Sequence, residues 1–334
     1  MKPAPAVVTV TLNPAIDQTL TIPGFAAGRV NRVAQTRFHA GGKGVNVACV
    51  LADLGVEVVA TGFLGASNPE LFEETFRRKG ITDRFLRLDG ATRVGIKVVD
   101  PETQQTTDID FSGLVPQQEE IDRLVAQVSE LAEPGRWFVL SGSVPPGAPE
   151  DIYATLIDAV HSRGGRVVLD TSGRPLREAL RQGPEVIKPN VDELSELFGR
   201  ALETPEAVRD SAALLIERGV RRVVVSMGGA GAVFVDPERA LLARPPRVEV
   251  RSTVGAGDAM VGGIVAAMLQ DLPLEEVARR ATAGGAYAVT RVGAGIEDLD
   301  ALRELIGQVE IEPLELAAGQ RGRAAAGDPG GLAT

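Results

Sequence analysis

Short apolar runs alternate with longer stretches of helical periodicity along most of the chain. The runs AVVTVTL (6–12), EVVATGFL (57–64), RWFVL (136–140), GRVVLD (165–170), EVIKP (185–189) and RRVVVS (221–226) are rich in β-branched residues and read as strands. Between them, around 45–54, 70–79, 119–131, 150–163, 191–198 and 206–218, the spacing predicts helices. Near-continuous apolar strands need cover on both faces, so the alternation predicts an α/β fold with a mostly parallel sheet sandwiched by helices.

Two segments depart from this pattern. In TRVGIKVVD, Arg93, Gly95 and Lys97 alternate with Val94, Ile96 and Val98, a period of two that predicts a half-exposed strand. TTDIDFSG (106–113) follows the turn-prone DPETQ and completes a hairpin. QTLTIPGFAAGRVNRVAQTRFH (18–39) is a second strand-like mixture. Together they predict a small β-sheet projecting from the core as a lid or association surface. The expected organisation is a core of 1–13, 40–88 and 114–316, a lid of 14–39 and 89–113, and a disordered tail over 317–334, where small residues show no periodicity.

Composition narrows the function. Of 334 residues, 35 are Lys or Arg and 45 Asp or Glu, a formal charge of −10. That balance disfavours nucleic acid and anionic membranes as partners but leaves small anions open. One cysteine, Cys49, and two histidines, His39 and His161, exclude a disulfide framework and a Cys/His zinc site. Cys49 reads as helix packing, and the histidines as structural or surface groups. The start of the chain lacks a signal-peptide pattern and no run is long enough to span a membrane, so a cytoplasmic protein is expected.

Two glycine loops carry the candidate chemistry. In RSTVGAGDAMVGGIVAAML, a β-run over 246–250 leads to Thr253-Val254-Gly255-Ala256-Gly257 and a helix starting near Asp258. A helix start offers free amides and a positive dipole end, and small residues let an anion approach. Asp258 beside such an anion hole could take a proton from an attacking hydroxyl, or could simply cap the helix; the segment alone weighs these about equally. Gly262, Gly263, Ala266 and Ala267 are explained by tight helix–sheet packing. HAGGKGVNVACVLADLG (39–55) repeats the design with Gly41, Gly42, Lys43 and Asn46. It is not a Walker A loop, because Gly44 follows the lysine, and no GxGxxG fingerprint occurs.

Other residues carry two readings each. Asp17 follows the first strand, where ligand loops of α/β sheets fall, yet spacing alone favours a turn aspartate. Arg93 and Lys97 share a strand face without acidic neighbours on it, as solvated charges or as anion ligands; Arg29 is similar. Ser141, in SGSVPPG directly after RWFVL, offers a hydroxyl at a strand end or is an ordinary loop former. In KPNVDEL, Lys188, Asn190 and Glu193 stand at a strand-to-helix turn, where Glu193 is a first-turn carboxylate or acts on Mg²⁺ through water.

The order of these motifs is more specific than any one of them. TLNPAID, GGKGVNVA, GFLG, TR, SGSVPPG, LDTSG, KPNVDEL, VSMGGAGA and STVGAGD run from about 10 to 300 in the order found in the ribokinase-like (PfkB-type) carbohydrate kinases, which the chain therefore resembles. HAGGKGVNVA with TDIDFSG is most similar to the 1-phosphofructokinase branch. The resemblance implies a Rossmann-like domain with a β-sheet lid, often part of a homodimer, and ATP- and Mg²⁺-dependent phosphorylation of a sugar hydroxyl. It implies Asp258 as catalytic base, with the backbone of Gly255, Ala256 and Gly257 stabilising the moving phosphoryl group. Asp17, Gly41, Gly42 and Asn46 would hold sugar hydroxyls, and Lys43 and Arg93 the sugar phosphate, with Lys97 and Ser141 in the same shell. Lys188, Asn190, Ser226, Gly228, Gly231, Thr253 and Gly255, with Gly257, would line the ATP site, and Glu193 would help position Mg²⁺. Arg29 is roughly where some relatives supply a cation across the dimer. Met227 and Gly229 replace the Leu and Ala frequent in relatives, an exchange expected to be neutral.

A phosphosugar acceptor needs cations, and Lys43, Arg93 and Lys97 fall on the expected sugar side. Fructose 1-phosphate is the acceptor the resemblance implies, with tagatose 6-phosphate and fructose 6-phosphate as alternatives. A non-catalytic sugar-phosphate sensor would have no need of Asp258, and a nicotinamide oxidoreductase would need the missing fingerprint.

Overall fold

The computed structural model describes residues 7–315 other than 104, 292 and 294; the tail over 317–334 lies outside the described residues. The first half contains β1 (Val7–Thr11), β2 (Ala15–Thr21), β3 (Gln35–Gly41), α1 (Lys43–Asp53), β4 (Val58–Gly65), α2 (Glu70–Lys79), β5 (Thr82–Asp83), β6 (Leu86–Leu88), β7 (Val94–Asp100), β8 (Gln105–Ile109), α3 (Gln118–Leu131), β9 (Trp137–Ser141) and α4 (Ile152–His161). The second contains β10 (Arg166–Asp170), α5 (Gly173–Ala179), β11 (Val186–Ile187), α6 (Val191–Phe198), α7 (Pro205–Glu217), β12 (Arg222–Ser226), β13 (Ala232–Val235), β14 (Ala240–Arg244), α8 (Ala256–Met268), α9 (Leu274–Val289), α10 (Leu299–Gln308) and β15 (Glu310–Leu314).

The large sheet runs β15-β14-β13-β12-β11-β10-β9-β1-β4-β5, with β6 also on β4. From β12 to β5 neighbouring strands are parallel; β13, β14 and β15 add an antiparallel edge. Alternate strand residues feed two cores, as a period of two requires. Val7, Trp137 and Val139 pack among α1, α2, α8, α9 and α10. Val8, Val10, Phe138 and Leu140 pack among α3 to α7. The six apolar runs and six helical stretches read from the sequence each fall on an observed element.

A separate sheet of order β3-β2-β7-β8 forms the lid. β2 pairs with β3 antiparallel and with β7 parallel, and β7 with β8 antiparallel.

Three readings are corrected. The β-run expected over 246–250 is not a strand, and Val250 there is exposed. Pro245 and Pro246 lack amide donors at its start, and β15 already pairs with the free edge of β14. Asp17 is not in a turn but inside β2, opposite His39. Gly262 and Gly263 of α8 answer to helices rather than to the sheet: a Cβ on Gly262 would strike Val50 of α1, and one on Gly263 the backbone of Ala281 in α9 at 2.9 Å.

Candidate active site

The two glycine loops meet at the C-terminal ends of β1, β9, β10 and β11. Gly255 enters α8 with φ +82°, a left-handed conformation that glycine adopts without strain. The first i−4 bond of the helix is Ala259 N to Gly255 O at 2.9 Å, so the amides of Gly257 and Asp258 precede it and stay free for an anion. Asp258 stands in the first turn and is 6% exposed. Asn46 of α1 donates from Nδ2 to Asp258 Oδ2 at 2.7 Å, joining the two loops. Burial, reinforced by the negative charge of Asp170, lifts the Asp258 carboxyl to about 6, against the opposing pull of Asn46, Lys43 and Lys188. A carboxylate with a pKa raised toward neutrality is suited to accept a proton.

Asp170 is the residue that the sequence reading passed over. It ends β10, is 1% exposed, and lies 3.3 Å from Lys43 Nζ and 3.5 Å from Lys188 Nζ. Ser141 Oγ, at the end of β9, donates to its other oxygen at 3.4 Å. Burial raises the Asp170 carboxyl, but the two lysines overcome it and hold it below the ordinary carboxylate range. A carboxylate ending the buried run VVL of β10 is the only local signal; what it does depends on neighbours from α1, β9 and the segment after β11.

On the lid, Asp17 pairs with Gly95 in register, and Lys97 stands two residues on. Burial raises the Asp17 carboxyl, while Lys97, Arg93 and His39 pull it down. A Cβ on Gly41 would collide with the Asp17 carboxylate, and one on Gly42 with Pro14 and Thr11. The face is not free of acid, contrary to the sequence reading. Lys97 lies 3.5 Å from Asp108, and Arg93 lies 3.5 Å from Asp110. Both partners come from the neighbouring chain segment at β8, which spacing within β7 does not reveal. His39, read as structural or surface, belongs to this group. His161 is structural: its Nε2 is 3.2 Å from Glu185. Arg29 is outside the group, with its guanidinium on the carbonyl of Gly24.

Some of the residues expected at the nucleotide also lie together. Asn190 and Ser226 form a parallel β-bridge, and Ser226 leads into the turn Gly228–Ala230. Gly231 has φ +102°, and any Cβ there would strike the carbonyl of Ala243. Gly229 has open space around it, which explains why it can replace Ala. Lys188 is 4% exposed, with Nζ 3.3 Å from the position a Cβ on Gly257 would take; it therefore reaches the start of α8. Thr253 is exposed in the segment before that helix. Asn190 and Glu193 form a reciprocal capping box, with both hydrogen bonds at 2.8 Å, so Glu193 is a first-turn carboxylate that accepts from Asn190 N through Oε2.

A parallel α/β sheet with a lid, and a buried carboxylate set beside free helix amides and two lysines, defines a phosphoryl-transferring enzyme. The pattern of the pfkB family carbohydrate kinases matches residues 7–301, and the chain belongs to that family. It is 45% identical over 309 residues to the 1-phosphofructokinase of Rhodobacter capsulatus, covering 92% of this chain and 98% of that one. It is 36% identical to the 1-phosphofructokinase of Escherichia coli K12, with 92% and 98% covered. The phosphofructokinase-2 of Escherichia coli in complex with fructose-6-phosphate superposes with a TM-score of 0.84 at 31% identity, covering 91% of this chain and 99% of that one.

Proposed function

We propose that the protein transfers the γ-phosphoryl group of ATP to the C6 hydroxyl of fructose 1-phosphate, giving fructose 1,6-bisphosphate and ADP. The observation that carries this reading is the buried Asp258, held by Asn46 at a helix start that also receives Lys188. Asp258 takes the C6 hydroxyl proton as that oxygen forms its bond to the γ-phosphorus. The bond from γ-phosphorus to the bridging oxygen breaks, and ADP departs with that electron pair. The amides around Gly255, Ala256 and Gly257 stabilise the equatorial oxygens. Lys43 and Lys188, balanced on Asp170, offset charge near the transferred group, while Asp17, Gly41, Gly42 and Asn46 hold acceptor hydroxyls. Arg93 and Lys97, with Lys43, serve the sugar phosphate, and Ser141, which donates to Asp170, supports the same shell from the Asp170 side. Asn190, Ser226, Gly228, Gly231 and Thr253 line the nucleotide.

Mg²⁺ keeps most of its water and takes few carboxylates. Among the described residues no three-carboxylate or histidine cluster forms, but Asp170 and Glu193 both act on Lys43. That sparse donor set fits Mg²⁺ held chiefly by ATP, Glu193 acting through water; the ion would draw negative charge from the phosphates.

The acceptor rests on the similarity to enzymes named 1-phosphofructokinase, and the fold is equally that of a fructose-6-phosphate complex. An ADP-release assay with fructose 1-phosphate, fructose 6-phosphate and tagatose 6-phosphate decides between them. A kcat/KM highest for fructose 1-phosphate is expected; preference for either 6-phosphate would overturn the acceptor assignment. We further propose a homodimer through the outer face of the lid. A cytoplasmic setting suits the ATP requirement and the free Cys49, whose thiol burial raises to about 11; no helix among the described residues is long and apolar enough to cross a membrane.

A further inference from the structure

A cavity of about 1250 Å³ lies between the lid and the layer of α1 and α2. None of the residues given a part in transfer lines it. Its walls include Arg37 and His39 from β3, Glu74 and Arg78 from α2, and Glu249 and Arg251 from the segment before α8. Two further cations at its edge are neutralised, Lys79 by Asp53 at 2.6 Å and Arg291 by Glu297 at 3.0 Å.

The side chains of Arg37, Arg78 and Arg251 have no hydrogen-bond or ion-pair partner among the described residues, nor do Glu74 and Glu249. Arg37, two residues from His39 on β3, and Arg78 of α2 both bear on His39: burial first, and then these two guanidinium groups, depress its basicity, with Asp17 acting the other way. Guanidinium groups gathered around one space repel each other, and they favour a multiply charged oxyanion that can accept several N–H bonds. The two unpaired carboxylates call for hydroxyl donors on the same molecule. A phosphate ester carrying several hydroxyls meets both demands; a bare polyanion would meet Glu74 and Glu249 unfavourably.

We propose that this cavity binds a phosphorylated polyhydroxy compound at a site separate from the transfer site. The phosphate would sit among Arg37, Arg78 and Arg251, and the hydroxyls would face Glu74 and Glu249. Because Arg37 belongs to the lid and Arg78 and Arg251 to the core, the bound compound ties the two together. His39, directly across from Asp17, places the cavity next to the acceptor side.

Calorimetric titration of the full-length protein with glucose 6-phosphate tests this, with inorganic phosphate and sorbitol as partial probes. Saturable binding of one equivalent of glucose 6-phosphate per chain is expected, tighter than either partial probe. Arg37→Ala and Arg78→Ala should each weaken it by roughly tenfold, the loss of a charge-assisted contact, while Arg93→Ala, which alters the proposed acceptor shell, leaves it within about twofold. Circular dichroism melts confirm that the variants are folded. Absence of saturable binding at millimolar concentration, binding unchanged in Arg37→Ala and Arg78→Ala, or loss of binding in Arg93→Ala would each overturn the proposal. The Arg93→Ala arm separates this outcome from a failure of the acceptor assignment, which the ADP-release assay reads alone.

Discussion

Asp258 is held ionisable by opposed fields: burial and Asp170 on one side, Asn46, Lys43 and Lys188 on the other. Activity needs the carboxylate, so kcat/KM should fall as pH drops through about 6. A carboxyl whose folded pKa is raised binds protons that the unfolded chain has already released, so its ionisation destabilises the fold as pH rises toward 6 and the cost is complete above it. At neutral pH that cost is on the order of 3 kcal/mol. Asp258→Asn removes the charge and keeps an acceptor for Asn46. It should lower kcat by at least about a hundredfold with little change in ATP affinity, and raise denaturation stability at pH 7.5 more than at pH 4.5. Near-normal turnover would remove Asp258 from the base role. The role of this residue was half legible: its place after GAG pointed to a helix start, and a cap or a base remained equally open. Asp170 was not legible, because the lysines it balances come from α1 and from the segment after β11.

At the level of elements, the seam between α8 and α9 is closed by missing side chains. Gly263 faces the backbone of Ala281, and Gly284 of α9 faces the carbonyl of Ala259 at 2.9 Å from where its Cβ would stand. The sequence announced small residues but not what they approach, and ATAGGAYAV hides its periodicity for the same reason: α8 and the second half of α9 are buried nearly all round, so the polar face that Glu275, Glu276, Arg279 and Arg280 give the start of α9 does not continue. Six of the parallel strands were legible because each lies in a compact apolar run, whereas β5 (TD) and β6 (LRL) are too short and too polar to stand out. The antiparallel edge was not, since β14 and β15 are joined across α8, α9 and α10. Gly263→Ala should therefore push α8 from α9. A loss of roughly 1–3 kcal/mol in urea denaturation is expected, together with a fall in kcat, because α8 carries Asp258 and its amides at one end. Unchanged stability would show that the seam has slack.

In the molecule as a whole, the two sheets have different surroundings. The large sheet is covered by helices on both faces, while the lid turns Asp17 and Lys97 inward and leaves its other face partly bare. Registered pairing puts Phe38, Gln18, Ile96 and Ile109 in one row across β3, β2, β7 and β8. Phe38 is 51% and Ile109 45% exposed, and Val30 and Val33 in the adjoining loop are 90% and 49% exposed. Alternation in the sequence foretold a half-exposed lid, and the apolar members of this row, Phe38, Ile96 and Ile109, give that exposure a direction. A large apolar patch on a water-facing sheet favours association, and a second copy of the same face supplies the complementary surface under two-fold symmetry. Sedimentation velocity should find a dimer, and Ile109→Asp should shift it to monomer, because each twofold contact would then bury an unpaired carboxylate. The lid positions Asp17, Arg93 and Lys97, so the monomer should show a raised KM for the sugar phosphate with ATP affinity nearly intact. A wild-type monomer, or a dimer unaffected by Ile109→Asp, would place the association surface elsewhere.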